Sequence, residues 1–170
     1  TCVLDRLNKN YQSIVSWIMS LLDKEPVKRA EKALKDFDQS INVITLENSA
    51  RTANDAALSL KCEVGAIVKS LLFRAGDFFI LALVAGDKRC SLDRLKLLIN
   101  KKDVSMASPK EVKAQTGYTI GGVSPVGHLY SVQIFIDSSL KRFNKLYAAA
   151  GHPNCVFKIN FLNLQKITNG

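Results

Sequence analysis

Two short apolar runs joined by a turn constrain this chain more than any other stretch. Residues 65–74 read Gly-Ala-Ile-Val-Lys-Ser-Leu-Leu-Phe-Arg, residues 75–77 are Ala-Gly-Asp, and residues 78–85 read Phe-Phe-Ile-Leu-Ala-Leu-Val-Ala. Runs of this length around a Gly-Asp turn predict a β-hairpin. Side chains alternate along a strand, so Lys69 shares a face with Ile67, Leu71 and Phe73, and the other face carries Ala66, Val68, Ser70 and Leu72. Both faces are mostly apolar, as in a strand covered on both sides. An ammonium in that setting loses hydration unless something anionic or strongly polar meets it. Two readings of Lys69 follow. Either it sits on an edge strand and extends its head into water, or it is a functional cation.

The rest of the composition narrows the class. A chain of 170 residues with 47% hydrophobic content suits one domain with a full core. A net charge of +9 and a pI near 9.5 point to a polyanionic partner, most simply nucleic acid, against the alternative of ordinary solubility charge. The four cysteines, Cys2, Cys62, Cys90 and Cys155, form no C-x-x-C pair, and the two histidines are His128 and His152. Neither a zinc ribbon nor a thioredoxin-type site is indicated, no metal or other cofactor is expected, and the cysteines read as reduced thiols of a cytoplasmic protein. No apolar stretch approaches the roughly 20 residues of a membrane span, so no membrane association is expected. Ile14, Val15, Trp17, Ile18, Leu21 and Leu22 make a helical stripe. It resembles the core of a signal peptide, but Asp23-Lys24-Glu25-Pro26 follows it instead of a small-residue cleavage site. Residues 1–24 are therefore expected to be an N-terminal extension, helical in part, before a domain over 25–170. Met19 is the expected natural start, with the residues before it an addition.

Periodicity and caps predict the remaining elements. Residues 26–37 form an amphipathic helix with proline in its first turn. Residues 41–46 are a strand, and 49–51 a loop. Thr52 caps a helix through residue 60, with Asp55 as an acidic variant of the capping box. Ser91 caps a helix over 92–99, residues 104–107 are a short strand, and Ser108-Pro109 opens a helix that ends near Thr116 at the stop residue Gly117. Residues 131–137 are a strand, 138–143 a short helix or turn, 147–154 a small-residue segment and turn, 155–159 a strand and 160–168 a closing helix. Helices and strands alternate irregularly, with hairpins and no run of βαβ units. That order predicts an α+β fold, a single compact domain with a mixed, mostly antiparallel sheet flanked by helices.

Residues 117–128, Gly-Tyr-Thr-Ile-Gly-Gly-Val-Ser-Pro-Val-Gly-His, hold four glycines and one proline and cannot be a regular element. Closely spaced glycines let backbone N–H groups turn toward an anion or a developing oxyanion. The loop lacks both the Gly-Lys-Ser/Thr ending of an NTPase phosphate loop and the spacing of a dinucleotide fold. A tight structural connection is the competing reading. A Ser-His-Asp set of Ser124, His128 and Asp137 would need a spatial geometry that spacing does not supply.

Thr52-Ala53 with Ala56-Ala57, Ile67 to Leu71, Gly86-Asp87, Thr116-Gly117-Tyr118, Gly121 to His128, Ile136-Asp137 and Ala149-Ala150-Gly151 together resemble the YbaK family of aminoacyl-tRNA deacylases. That family is related to the editing domain inserted in bacterial prolyl-tRNA synthetases. The likeness covers about residues 26–168. It implies a compact, β-barrel-like mixed sheet and a free-standing enzyme that hydrolyses the ester between a small wrong amino acid and the 3′ end of tRNA. Mischarged proline tRNA is the favoured substrate, and prolyl-tRNA synthetase a further candidate partner. The resemblance implies that Lys69 is the key active-site residue, and that the Gly121–Gly127 loop binds the terminal adenosine and the ester. The expected catalytic set is Lys69, Gly121, Gly122 and Asp137. The expected substrate contacts are Thr52, Ser70, Tyr118, Val123, Ser124, Pro125, Gly127 and His128. Asp137 has two open roles, pairing with Lys69 or orienting water, against a purely structural ion pair. His128 and His152 are either general bases or loop caps. The attacking group is either a positioned water or a nucleophile of the substrate itself. The competing class is a non-catalytic tRNA-binding module associated with a synthetase.

Overall fold

Apolar runs, caps and turns divide the chain into six α-helices and seven strands in the computed structural model, which describes residues 2–48 and 50–170. In chain order these are α1 (Cys2–Leu22), α2 (Glu25–Phe37), β1 (Val43–Thr45), α3 (Ala53–Leu60), β2 (Ile67–Ala75), β3 (Phe78–Ala85), α4 (Leu92–Ile99), β4 (Val104–Met106), α5 (Pro109–Thr116), β5 (Gln133–Ile136), β6 (Leu146–His152), β7 (Cys155–Ile159) and α6 (Phe161–Thr168). Short 3-10 turns cover Val64–Ala66 and Ser138–Arg142. Ser49, in the loop expected over 49–51, lies outside the described residues.

The helices begin where their caps predict. The Thr52 hydroxyl accepts the Asp55 N–H at 3.1 Å and the Ser91 hydroxyl that of Arg94 at 3.3 Å. Ser108 and Glu111 bond each other's backbone N–H reciprocally, both at 3.2 Å, which satisfies two otherwise orphaned donors of α5.

The strands form one mixed sheet in the order β1-β7-β6-β2-β3-β5, with β4 added on β2. The pairs β1/β7, β6/β7, β2/β3 and β2/β4 are antiparallel, and β2/β6 and β3/β5 are parallel. The path ends at β1 and β5, so the sheet is open. The expected α+β arrangement is present, with one difference. Residues 146–152 are not a small-residue turn but the strand β6, which joins the β1-β7 pair to β2. Alanine has low intrinsic strand preference; here pairing on both edges and burial of Ala148 and Ala150 override it.

Alternation along each strand sorts the core. Val68 and Leu72 of β2, Leu81 and Leu83 of β3, Ala148 of β6 and Phe157 of β7 face α2 and α6 in the main core. On the opposite side the core is divided. Phe73, Ile80, Ala82 and Val84 pack against Leu95 of α4, whereas Ile67 and Val156 pack against Ala56 and Ala57 of α3. Lys69 lies on that divided side by the alternation of β2, between the two clusters. Leu21 and Leu22, at the end of α1, pack on the main core, while Leu7, Tyr11 and Met19 of the same helix are exposed.

Leu81 is fully buried at the centre of β3. Leu81→Ala should lower the unfolding free energy by about 2–5 kcal/mol through lost burial and a cavity. A shift of the denaturation midpoint to lower urea concentration checks this.

Candidate active site

The site is made by an interruption in strand pairing. Along one edge β2 is paired with β3 from Val68 to Ala75. Along its other edge β2 pairs with β6 only at Ile67 and Val68, and with β4 only from Phe73 to Ala75. Between them the strands diverge and leave a fork. Peptide groups of successive residues point to opposite edges of a strand. The Ile67 carbonyl accepts from Gly86, beyond the end of β3, and the Leu72 carbonyl from Ala107, beyond β4, at 2.8 and 3.0 Å. By this alternation the peptide groups of Ser70 face the fork, where the ladder supplies no partner.

A cavity of about 390 Å³ occupies this fork. Its walls come from both sides of the sheet: Ala56 and Ile67 of the α3 cluster on one side, Val68, Leu72 and Val123 of the main core on the other. Lys69, Ser70, Thr52, Arg51 and Gly121 add polar groups. The lining includes two cations and no carboxylate among the described residues. The Lys69 ammonium donates to the Lys88 carbonyl in the turn after β3.

Of the residues expected to form the site, Lys69, Gly121, Thr52, Ser70 and Val123 line this cavity. Thr52 does so while capping α3. Gly121 has φ +91°, a left-handed conformation that a side chain would strain. The other expected residues are set back from the cavity. Gly122 donates its N–H to the Thr119 carbonyl at 2.9 Å, so it is no free donor to an oxyanion. A Cβ there would lie 3.0 Å from His152 Cα and N; glycine is needed because the loop packs directly on the β6 backbone.

Asp137 requires a correction. It pairs with no lysine within ion-pair distance among the described residues. Its carboxylate accepts from Ser139 N–H and Oγ, both at 2.8 Å, and from Ala85 N–H at 3.2 Å. Burial opposes its charge, but the bonds from Ser139 and Ala85 outweigh it and hold the carboxyl below the usual range. It is a cap that ties the turn at Ser138–Arg142 to β3, outside the cavity.

The Ser124-His128-Asp137 reading is also overturned. Ser124 is fully buried, and its hydroxyl accepts from Val126 N–H at 3.4 Å. His128 Nε2 meets the Ser124 carbonyl, not the hydroxyl, at 2.7 Å. A carbonyl only accepts, so Nε2 carries the proton. His152 Nδ1 accepts the Asn154 N–H at 3.0 Å in the β6–β7 turn. Both histidines hold loops together.

Tyr118, Ser124, Pro125 and Gly127 form the supporting body of the glycine loop. Tyr118 is fully buried, and its phenol donates to the Val126 carbonyl at 2.8 Å, with that of Gly127 at 3.1 Å. Burial pushes the phenol up to about 12, so it stays a donor. Arg29 of α2 stacks on the Tyr118 ring at 4.7 Å and donates through Nε to the Gly127 carbonyl at 2.6 Å. Glu25 holds the guanidinium from its other side at 2.5 Å. Neither Arg29 nor Arg51 was legible as part of the site. An arginine on a charged helix and one in a loop carry no local signal of what they face.

Comparison with known proteins adds independent observations. A family model described as the aminoacyl-tRNA editing domain matches residues 47–167. The uncharacterized protein YwhH of Bacillus subtilis (strain 168) is 33% identical over 134 residues, 78% of this chain and 85% of that protein. The proline–tRNA ligase of Bacillus velezensis is 32% identical over 121 residues, 71% of this chain; the chain spans only 20% of the ligase's length. A crystal structure provisionally described as a trans-editing enzyme for prolyl tRNA synthetase superposes with TM-score 0.82 and 34% identity, covering 86% of this chain and 94% of that one.

Gly122→Ala should destabilise the protein by about 1–3 kcal/mol, because the added methyl would lie 3.0 Å from the His152 backbone, closer than an ordinary van der Waals contact. Thermal denaturation of the variant beside wild type measures it. A second expectation concerns pH. Burial lowers the His128 pKa below its ordinary 6.5, Arg29 adds to this, and the Ser124 carbonyl opposes it. The folded state then binds fewer protons than the unfolded one just below that pH. The contribution of neutral His128 is complete above about pH 6.5 and is lost as pH falls through the folded value. His128→Asn should therefore flatten the decline of melting temperature between about pH 7 and pH 5. An unchanged slope would assign the decline to other groups.

Proposed function

As the chain belongs to the aminoacyl-tRNA editing domain family, we propose that it is a trans-acting deacylase, hydrolysing the ester that links a small non-cognate amino acid to the 3′ end of tRNA. Mischarged proline tRNA is the favoured substrate, and prolyl-tRNA synthetase the natural associate. The cytoplasm, where tRNA is charged, is the compartment.

The observation that carries this reading is the convergence of Lys69 and Gly121 on one largely apolar, acid-free cavity in the fork of the sheet. A cavity with cations and no carboxylate favours a substrate with phosphate and ester oxygens. Among the described residues Lys69 has only a backbone carbonyl as its partner, and a phosphate or ester oxygen can replace it as a stronger acceptor for a cation. The Ser70 peptide N–H, which faces the fork without a ladder partner, is suited to the carbonyl oxygen as negative charge develops on it, which is usually the largest single contribution in acyl transfer. The attacking oxygen comes from a positioned water or from a nucleophile of the substrate. Attack by water at the ester carbon breaks the bond to the ribose 3′ oxygen, which leaves with one of the water's protons; the water oxygen stays on the amino acid, which departs as its carboxylate and releases the second proton to solvent. Where a nucleophile of the substrate attacks first, the ribose 3′ oxygen leaves in the same way and water hydrolyses the resulting acyl product. The net charge of +9 suits a polyanionic acceptor stem.

Such an activity answers a limit of recognition. A synthetase pocket separates side chains differing by one methylene by only about 1–3 kcal/mol, so small wrong amino acids are attached at a measurable rate. A second cavity of different shape removes them.

The test is deacylation of proline tRNA carrying Ala, Ser, Cys or Pro by wild type and by Lys69→Ala, with circular dichroism as the check on folding. Hydrolysis of at least one mischarged tRNA is expected, falling by about 10²–10³-fold in the variant. Wild-type rates in Lys69→Ala would refute the role of the lysine. Binding of tRNA without hydrolysis would leave a binding module.

A further inference from the structure

We propose that α1 is a dimerisation element, whose exposed apolar stripe pairs antiparallel with the α1 of a second copy of this chain. This pairing is independent of the deacylase reading above.

The helix stands away from its own domain. From Arg6 to Trp17 every residue of α1 is exposed, Ile18 is half-buried, and only Leu21 and Leu22 reach the main core. Leu7 is 60% exposed, Tyr11 68%, Ile14 43% and Trp17 38%. A helix in a folded protein is held chiefly by the packing of an apolar face, not by propensity. Here Asn8, Asn10, Ser13, Val15 and Ser16 are poor helix formers, and about three turns receive no packing from their own domain. The helix nevertheless runs unbroken over 21 residues.

The stripe itself defines the partner. Leu7, Tyr11, Ile14, Ile18 and Leu21 follow at spacings of four, three, four and three, the repeat of a helix–helix seam. The complement of such a seam is a second helix with the same repeat. The flanking positions Asn8, Asn10, Val15, Trp17 and Leu22 carry no charge, and Arg6 and Lys9 fall on the far side of the helix. Two copies therefore meet without like charges at the seam. A membrane surface fits less well. The polar side offers only Arg6 and Lys9 as cations, among neutral Gln12, Ser13, Ser16 and Ser20, too few to hold anionic lipid. Side chains of this size carry roughly 150–250 Å² each. The exposed parts of Leu7, Tyr11, Ile14, Val15 and Trp17 offer roughly 500 Å² on one helix and about 1,000 Å² on two, the lower bound of a specific interface.

Charge also sets the direction. A parallel pair would hold two chains of net charge +9 side by side at the Leu21 end. An antiparallel pair places the two domains at opposite ends of a helix roughly 30 Å long, several screening lengths apart. Seating Leu7 against Ile18 of the second copy sets Tyr11 against Ile14, and leaves Lys9 opposite Ser16. This arrangement is two-fold, so it closes at two copies. No residue of α1 or α2 lines the cavity, so both sites stay open.

Sedimentation equilibrium of the full 170-residue chain tests the pairing. The mass should rise with concentration from 18.8 kDa toward twice that value, over roughly the micromolar range that suits so small an interface. Trp17 is the sole tryptophan, so its emission should move to shorter wavelength over the same range as the indole leaves water. Ile14→Glu and Tyr11→Lys should each stay monomeric where wild type is mostly dimeric. Both side chains are exposed in the single chain, so the denaturation midpoint of either monomer should match that of dilute wild type. An equimolar mixture of the two variants should pair again, because their opposite charges face each other in the antiparallel register. A mass of 18.8 kDa at every concentration overturns the pairing. So does a dimer that survives in both variants, or a Trp17 shift that appears only with anionic vesicles. A mixture that stays monomeric overturns the antiparallel register. Each of these outcomes leaves the deacylase reading intact, since that reading stands or falls on hydrolysis of charged tRNA.

Discussion

The architecture depends on a conflict in one strand. β2 has nine residues and is paired along its whole β3 edge, which gives it the rigidity of a central strand. Its other edge is shared by two strands that run in opposite directions, β6 parallel to it and β4 antiparallel. The two strands stop short of each other along this edge, and the gap falls at residues 69–71. Unpaired backbone is normally avoided in an interior because buried peptide groups without partners are costly. Here it is tolerated where a cavity opens to ligand, with both sheet faces already covered by helices elsewhere.

The glycine loop closes the cavity from the main-core side, and its shape is maintained by groups that do not reach the substrate space. Arg29 couples α2 to the loop through the Gly127 carbonyl and the Tyr118 ring, and Tyr118 couples back to the Val126 carbonyl. The two hydrogen bonds give the loop carbonyls of Gly127 and Val126 side-chain donors, and the ring contact holds Arg29 against Tyr118. The loop is thus a supported structure with one edge, at Gly121, presented to the cavity. A site on such a frame needs little ordering when the ligand arrives, which reduces the entropic cost of binding.

Charge is partitioned in the same way. Two carboxylates on the elements around β3 are committed to other partners: Asp137 to Ser139 and Ala85, and Asp87 to Arg142 in a two-point pair at 2.7 and 2.9 Å. These pairs fix the turn whose Lys88 carbonyl receives Lys69. The cavity itself keeps only positive charge, in keeping with the basic excess of the whole chain.

Local rules read from the chain were sufficient for much of this. The hairpin of β2 and β3, the caps at Thr52, Ser91 and Ser108, the stop at Gly117 and the irregular glycine segment all follow from periodicity and side-chain chemistry within a few residues. Lys69 stood out for the same reason, as a charge in an apolar run. The strand at Leu146–His152 was not legible, because its alanines carry no strand preference and are held by neighbours distant in sequence. Asp137 looked like a partner for Lys69 because both are charged and lie near the same sheet; only the fold aims its carboxylate at Ser139 and Ala85. The positions of Arg29 and Arg51 depend on helix packing in the same way. Sequence by itself determined most of the strands, helices and turns, β6 excepted, since those depend on contacts between near neighbours. The tertiary structure alone decided where β4 and β6 part along β2, and hence where the cavity lies, because that gap arises from pairing between segments dozens of residues apart.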